Sequence, residues 1–97
     1  MRQNPTEKPD DLRARLRSEG YDGVYPWSDP PGAVYALHRH ETDQTHWIVS
    51  GELEITLETG ESYLLKSGDR DFLPAQTGHR ARVIGEGAVS YLIGEKL

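Results

Sequence analysis

The stretch His38 to Gly51, HRHETDQTHWIVSG, holds three of the chain's four histidines. On a β-strand alternate side chains share a face, so His38 and His40 point the same way. Their Cα atoms then stand about 6.6 Å apart, at roughly 3.3 Å of rise per residue. Two imidazole nitrogens at that spacing can converge on one divalent ion, through bonds of about 2.0–2.1 Å if it is zinc. Gln44 follows four residues after His40, His46 is in phase with it, and Gly51 ends the run in a turn. The remaining histidine, His79, comes after a second turn-rich stretch, GDRDFLPAQTGHRARV.

The pattern HxH, three residues, an acid or amide, six residues, glycine resembles the first motif of the cupin family. Gly68, Pro74 and His79 match its second motif: glycine, five residues, proline, and a histidine five positions on. The resemblance runs from Ala33 to Gly94. It implies a small antiparallel jelly-roll β-barrel that holds one metal with three histidines and a glutamate. Carried over, His38, His40 and His79 are the metal ligands, and Gln44 stands where the glutamate usually is. Gln76 replaces a usual glycine and Val83 a frequent asparagine. The segment YDGVYPWSDPPGAVYALHRH also resembles the leading segment of small single-domain cupins. A fold of this kind hosts many reactions, so the resemblance implies fold more directly than activity.

Gln44 changes the chemistry such a site can do. An amide is neutral and cannot act as a general base near pH 7. An ion held by three neutral imidazoles and an amide keeps its double charge, favours anionic ligands, and acts as a Lewis acid or an O₂ binder. Gln44 is either a fourth ligand or the anchor of a metal-bound water; both readings stand. His46 is aimed at the same cavity two residues further along, as a cavity wall or a hydrogen-bonding group behind the ligands rather than a ligand. Glu41 and Asp43 are expected at the surface. Asp69 and Asp71 are expected to shape a turn. Tyr35 and Trp47 are expected to face away from the histidines, towards the outer sheet surface or a partner subunit.

The elements that must position these residues are short strands. Leu53, Ile55 and Leu57 alternate with Glu54, Thr56 and Glu58, a half-buried strand. Val34, Ala36, His38 and His40 share one face; Tyr35, Leu37 and Arg39 share the other. His79, Ala81 and Val83 repeat the pattern against Arg80 and Arg82. Turn signals at Ser28–Gly32, Thr59–Glu61, Lys66–Asp69 and Gly85–Gly87 recur at the spacing of a sandwich or barrel. Tyr21 to Trp27 and Ala88 to Ile93 read as the first and last strands, and Asp71 to Pro74 as a short strand that the proline ends. Before them, Asp10 to Ser18 reads as a short helix, with Leu12 and Leu16 four apart and Gly20 as its stop. Arg13, Arg15 and Arg17 read as its solvated face, and residues 1–9 as a loose arm. The domain expectation is one unit over 1–97, with 1–20 as arm and helix and 33–94 as barrel core.

Composition narrows the partners. With 11 basic and 16 acidic residues the net charge is −5, so no basic field for nucleic acid exists. No apolar run approaches the roughly 20 residues of a membrane span. The polar N-terminus lacks a secretory h-region, and there are no cysteines, so a cytoplasmic location is expected and thiolate ligation is excluded. Imidazole and oxygen ligands suit Fe, Mn, Ni, Cu, Co or Zn. The sequence thus leads to a metal-binding homodimer with a small, anionic organic ligand. As an enzyme it would carry out dioxygenase-like oxygenation or isomerisation of a small acid or polar metabolite. The alternatives are a non-catalytic binding or sensing domain, and a metal-free sugar-binding or isomerase-type protein with histidines as acid and base.

Overall fold

The structure is a computed structural model that describes residues 9–97. Except for Pro9, the expected loose arm lies outside the described residues. One helix, α1 (Pro9–Ser18), precedes seven strands: β1 (Gly23–Asp29), β2 (Val34–His38), β3 (Gln44–Ser50), β4 (Glu52–Leu57), β5 (Ser62–Leu65), β6 (His79–Ile84) and β7 (Val89–Glu95). They form two antiparallel sheets, one in the order β1-β7-β3 and one in the order β2-β6-β4-β5. This is the expected all-β jelly-roll arrangement with a short N-terminal helix. One detail differs: hydrogen bonds do not close the two sheets into a continuous barrel.

Apolar side chains from both sheets meet between them. Ile48, Leu53, Ile55, Leu65, Val83, Val89 and Tyr91 make a buried cluster. The β4 alternation thus sends Leu53 and Ile55 inward, as its pattern dictates. The hairpin from β3 to β4 turns on Gly51, whose φ is +85°. A Cβ there would stand 2.4 Å from the Ala88 carbonyl oxygen, so only glycine fits.

The helix covers the outside of the three-stranded sheet. Pro9 occupies its first position, where a missing N–H costs nothing. Asp10 and Asp11 sit in the first turn and Arg15 and Arg17 in the last, complementing the helix dipole. Gly20, at φ +101°, reverses the chain so that Tyr21 N–H donates to Leu16 O at 3.1 Å. Leu12 and Leu16 pack with Tyr21, Val24, Trp47 and Leu92, contributing about 1.5–3 kcal/mol each. Trp47 does face away from the histidines, under this helix. The arginines are not merely solvated: Arg13 Nη1 donates to Val24 O at 3.1 Å, and Arg15 lies 5.0 Å over the Trp47 ring.

Three strand expectations are corrected. β1 begins at Gly23 and runs to Asp29, two residues later at each end than its aromatic content suggested. β7 continues past Ile93 to Glu95, because β1 and β3 both pair with it to that point. Residues 71–74 form no strand; only isolated bridges, Gln44 with Leu73 and Trp47 with Arg70, tie this stretch to β3. Among the described residues no helix is long and apolar enough to cross a membrane.

Candidate metal centre

The space between the sheets that the apolar cluster does not fill is a cavity of about 190 Å³. His38, His40, Gln44, His46 and His79 all line it. β2 and β6 bring the histidines together, since His38 and His79 are register partners. His40 lies just past the end of β2, where two contacts hold its loop. Gln76 N–H donates to His40 O at 2.8 Å, and the neighbouring Arg39 pairs with Glu58. Gln76 does this at φ +67°, the left-handed backbone that the usual glycine adopts more readily.

One nitrogen from each of His38, His40 and His79 lies within 4.8 Å of the others. Ring centroids are 4.9 Å apart for His38–His40, 4.4 Å for His38–His79 and 5.4 Å for His40–His79. Two backbone carbonyls set the tautomers. His38 Nδ1 lies 2.7 Å from Ala36 O, and His79 Nδ1 lies 3.0 Å from Thr77 O. A carbonyl accepts only, so Nδ1 carries the proton in both rings and Nε2 offers its lone pair to the cluster. Burial, with the neighbouring imidazoles behind it, lowers the pKa of His40. Burial does the same for His79, against the Thr77 carbonyl bond. Three neutral, converging imidazoles with no acid among them are a donor set that fits a divalent transition ion.

Gln44 is buried at the start of β3. Its Nε2 donates to Glu95 Oε1 at 3.1 Å, which leaves the amide oxygen as the atom it can offer a metal or water. His46 is also buried, with its ring centroid 6.2 Å from that of His79. Its Nδ1 is 3.0 Å from Asp71 Oδ1, its backbone N–H donates to the same oxygen at 2.8 Å, and Tyr63 Oη donates to Asp71 Oδ2 at 2.8 Å. Burial alone would raise the Asp71 carboxyl pKa. The bonds from His46 and Tyr63 outweigh it and hold the group below its ordinary value.

Asp71 therefore does not shape the turn, as expected of it; Asp69 does, accepting the Lys66 N–H at 2.9 Å. Asp43 stays at the surface, accepting the Ala75 N–H, and Glu41 is exposed. Tyr35 is a second correction. Strict alternation puts it opposite His38, yet both line the cavity. The register of β2 on β6 shifts between Tyr35 and His38. A bulge adds one residue and so reverses the facing of the residues beyond it. Val34 is consequently 72% exposed rather than inward.

Two carboxylates behind the cavity wall, and the aromatic donors bonded to them, went unread in the sequence. Glu95 lies opposite Gln44 on β7 and accepts the Tyr25 hydroxyl as well. Asp29, only 6% exposed, accepts from Tyr35, from Trp27 Nε1 at 3.1 Å and from Tyr91 at 2.9 Å. Burial first, then the bond to Glu95, pushes the Tyr25 hydroxyl pKa up to about 12. Parity was the available signal: Tyr25, Trp27 and Asp29 alternate on β1, and Tyr91, Ile93 and Glu95 on β7.

Comparison with known proteins agrees with this architecture. The profile of the Cupin domain family matches residues 27–94. No curated protein matches the chain significantly in sequence. Among solved structures, the DMSP lyase DddQ from Ruegeria pomeroyi DSS-3 superposes with a TM-score of 0.69 at 26% identity, over 76% of this chain and 37% of that one. KdgF from Halomonas sp. superposes with a TM-score of 0.66 at 29% identity, over 76% of this chain and 68% of that one. A cupin-like protein from Thermotoga maritima, at 20% identity and a TM-score of 0.69 over 75% of this chain and 55% of that one, shares the fold. The chain thus spans little more than a third of the lyase's length.

Proposed function

The chain belongs to the cupin family, and on that footing we propose that it is a metal-dependent enzyme for a small carboxylic acid, acting by proton transfer. The observation that carries the reading is the convergence of His38, His40 and His79 in a cavity whose wall residues Tyr25 and Gln44 both bond to the Glu95 carboxylate behind them. The three imidazoles would hold one ion of Fe, Mn, Ni, Cu, Co or Zn, with Gln44 as fourth ligand or as anchor of a bound water. When bound, the ion supplies a Lewis acid that favours a carboxylate and acidifies the carbon next to it.

The protein supplies the rest. Glu95 is the acceptor for a proton that reaches it through the Tyr25 hydroxyl on the cavity wall. Tyr25 takes the proton from that carbon as its own passes to Glu95, and the return to the same carbon or its neighbour runs in reverse, an isomerisation without net redox change. Tyr25 and Gln44 hold the two oxygens of Glu95 in place. The cavity of about 190 Å³ is smaller than drug-sized pockets and limits the ligand to a small metabolite. Isomerisation is favoured over oxygenation because a fixed carboxylate backs the cavity wall through Tyr25 and Gln44. The likeness to a DMSP lyase supports an enzyme over a passive binder.

The test is proton exchange. Zinc-loaded protein in D₂O is expected to exchange the α-protons of small acids, read by NMR, and Glu95→Gln to abolish the exchange while keeping its zinc. Oxygen uptake by the iron-loaded protein without any such exchange would overturn the proposal in favour of an oxygenase. Binding without either would leave a sensing domain. A homodimer in the cytoplasm is also part of the proposal, checked by sedimentation and by fractionation.

A further inference from the structure

Part of the cavity wall is aromatic and electronegative. Tyr25, Trp27, Tyr35 and Tyr91 all line it. Each has its polar atom tied down: Tyr25 to Glu95, and Tyr35, Trp27 and Tyr91 to Asp29. Trp27 Nε1 also lies 3.0 Å from the Tyr35 hydroxyl. With their polar edges bound, what these rings can offer a ligand is their faces. Trp27 is 46% exposed although its N–H is satisfied, so much of its indole stands bare where it lines the cavity. Among the described residues no Lys or Arg lines the cavity, and the two carboxylates lie behind the phenols. A phenol that donates to a carboxylate presents a more electron-rich ring.

Such a wall attracts positive charge. Faces of Trp and Tyr bind alkylated cations through the ring quadrupole, most strongly when water is excluded. From this frame we infer that the substrate is a zwitterion, with a carboxylate at the metal end and a quaternary ammonium or similar onium head among Tyr25, Trp27 and Tyr35. The inference rests on the metal–carboxylate reading above and adds the identity of the ligand's other end.

A pair of probes of equal shape isolates the charge. 3-(Trimethylammonio)propanoate and 4,4-dimethylpentanoate differ by nitrogen for carbon, and the intervening methylenes keep the carboxylates alike as metal ligands. Calorimetric titration of the zinc-loaded full chain is expected to show the zwitterion binding about tenfold or more tightly than the neutral-headed acid. Trp27→Leu, which keeps an apolar but non-aromatic side chain at a half-exposed position, is expected to bring the ratio close to one while the zinc content stays unchanged. Equal affinities, or tighter binding of the neutral-headed acid by the parent protein, would overturn the inference. So would a ratio that Trp27→Leu leaves intact. If zinc improves the binding of neither acid over the chelated protein, the metal reading falls and takes this inference with it. The neutral acid alone reports that outcome, so the two failures are told apart.

Discussion

Replacing Gln44 by glutamate probes how charge is arranged at the site. Gln44 Nε2 donates to Glu95 Oε1 at 3.1 Å, and the two residues are register partners on β3 and β7. A glutamate at 44 sets a second carboxylate against the first. Two unit charges about 4 Å apart repel by about 4 kcal/mol at an effective dielectric near 20. Glu95 is half-buried, and screening by solvent cuts this to about 2 kcal/mol. The lost hydrogen bond to a charged group adds about 1.5 kcal/mol. The chelated Gln44→Glu protein is therefore expected to lose about 3–4 kcal/mol, a fall in Tm of roughly 15–30 °C for a domain of this size. Adding Glu95→Gln restores one donor and one acceptor and should recover most of the loss. Urea denaturation at pH 7 of the four proteins forms a double-mutant cycle. A coupling energy below about 0.5 kcal/mol would refute the contact and the reasoning built on it. Metal should stabilise the single variant more than the parent if the oxygen at position 44 is a ligand. An equal effect favours the water-anchor role.

The same contacts lead to further expectations. Because the pKa values of His40 and His79 are lowered, protons compete for these nitrogens only below the ordinary imidazole range, about 6.5. Metal affinity, titrated from pH 7.5 to 5, should fall most steeply below about 6.5, where His40 and His79 take up protons; an affinity that stays level down to pH 5 contradicts imidazole ligation. In the chelated protein the unfolded state takes up protons first as pH drops below about 6.5, so stability should decline from there through the lowered values. Asp71→Ala strips two buried donors of His46 and the half-buried Tyr63 hydroxyl of their acceptor and should cost about 3 kcal/mol or more in urea denaturation, whereas a loss under about 1 kcal/mol would mean that water replaces the carboxylate. Leu16→Ala should cost about 2–4 kcal/mol and shift Trp47 emission to the red as the helix loosens; an unchanged spectrum would show that another element keeps Trp47 dry.

The sequence made the fold legible wherever period-two alternation met a turn. β4 and β6 show this: Leu53, Ile55, His79 and Val83 are inward as their parity requires. It made the imidazole cluster legible because His38 and His40 adjoin on one stretch and His79 heads another strand. Parity failed at Tyr35, where a bulge inserts a residue that no local residue type announces. It was available but cut short at Glu95, since a strand ending in charged and glycine residues does not advertise its last positions. Asp29 and Asp71 were hidden for another reason. Both sit near prolines or turn residues in sequence, and only tertiary packing shows that tyrosine, tryptophan and histidine donors converge on them. A buried carboxylate is tolerated through such partners. Those of Asp29 lie 2, 6 and 62 residues away along the chain, in no readable pattern.

X-ray absorption of the zinc-loaded protein, prepared without an affinity tag, tests the central claim most directly. The account predicts about one zinc per chain with three imidazole nitrogens at about 2.0–2.1 Å, and loss of that ion in His79→Ala. Less than about a tenth of an equivalent after reconstitution with zinc, iron, manganese, nickel, cobalt or copper, or a bound zinc with no imidazole around it, would contradict it.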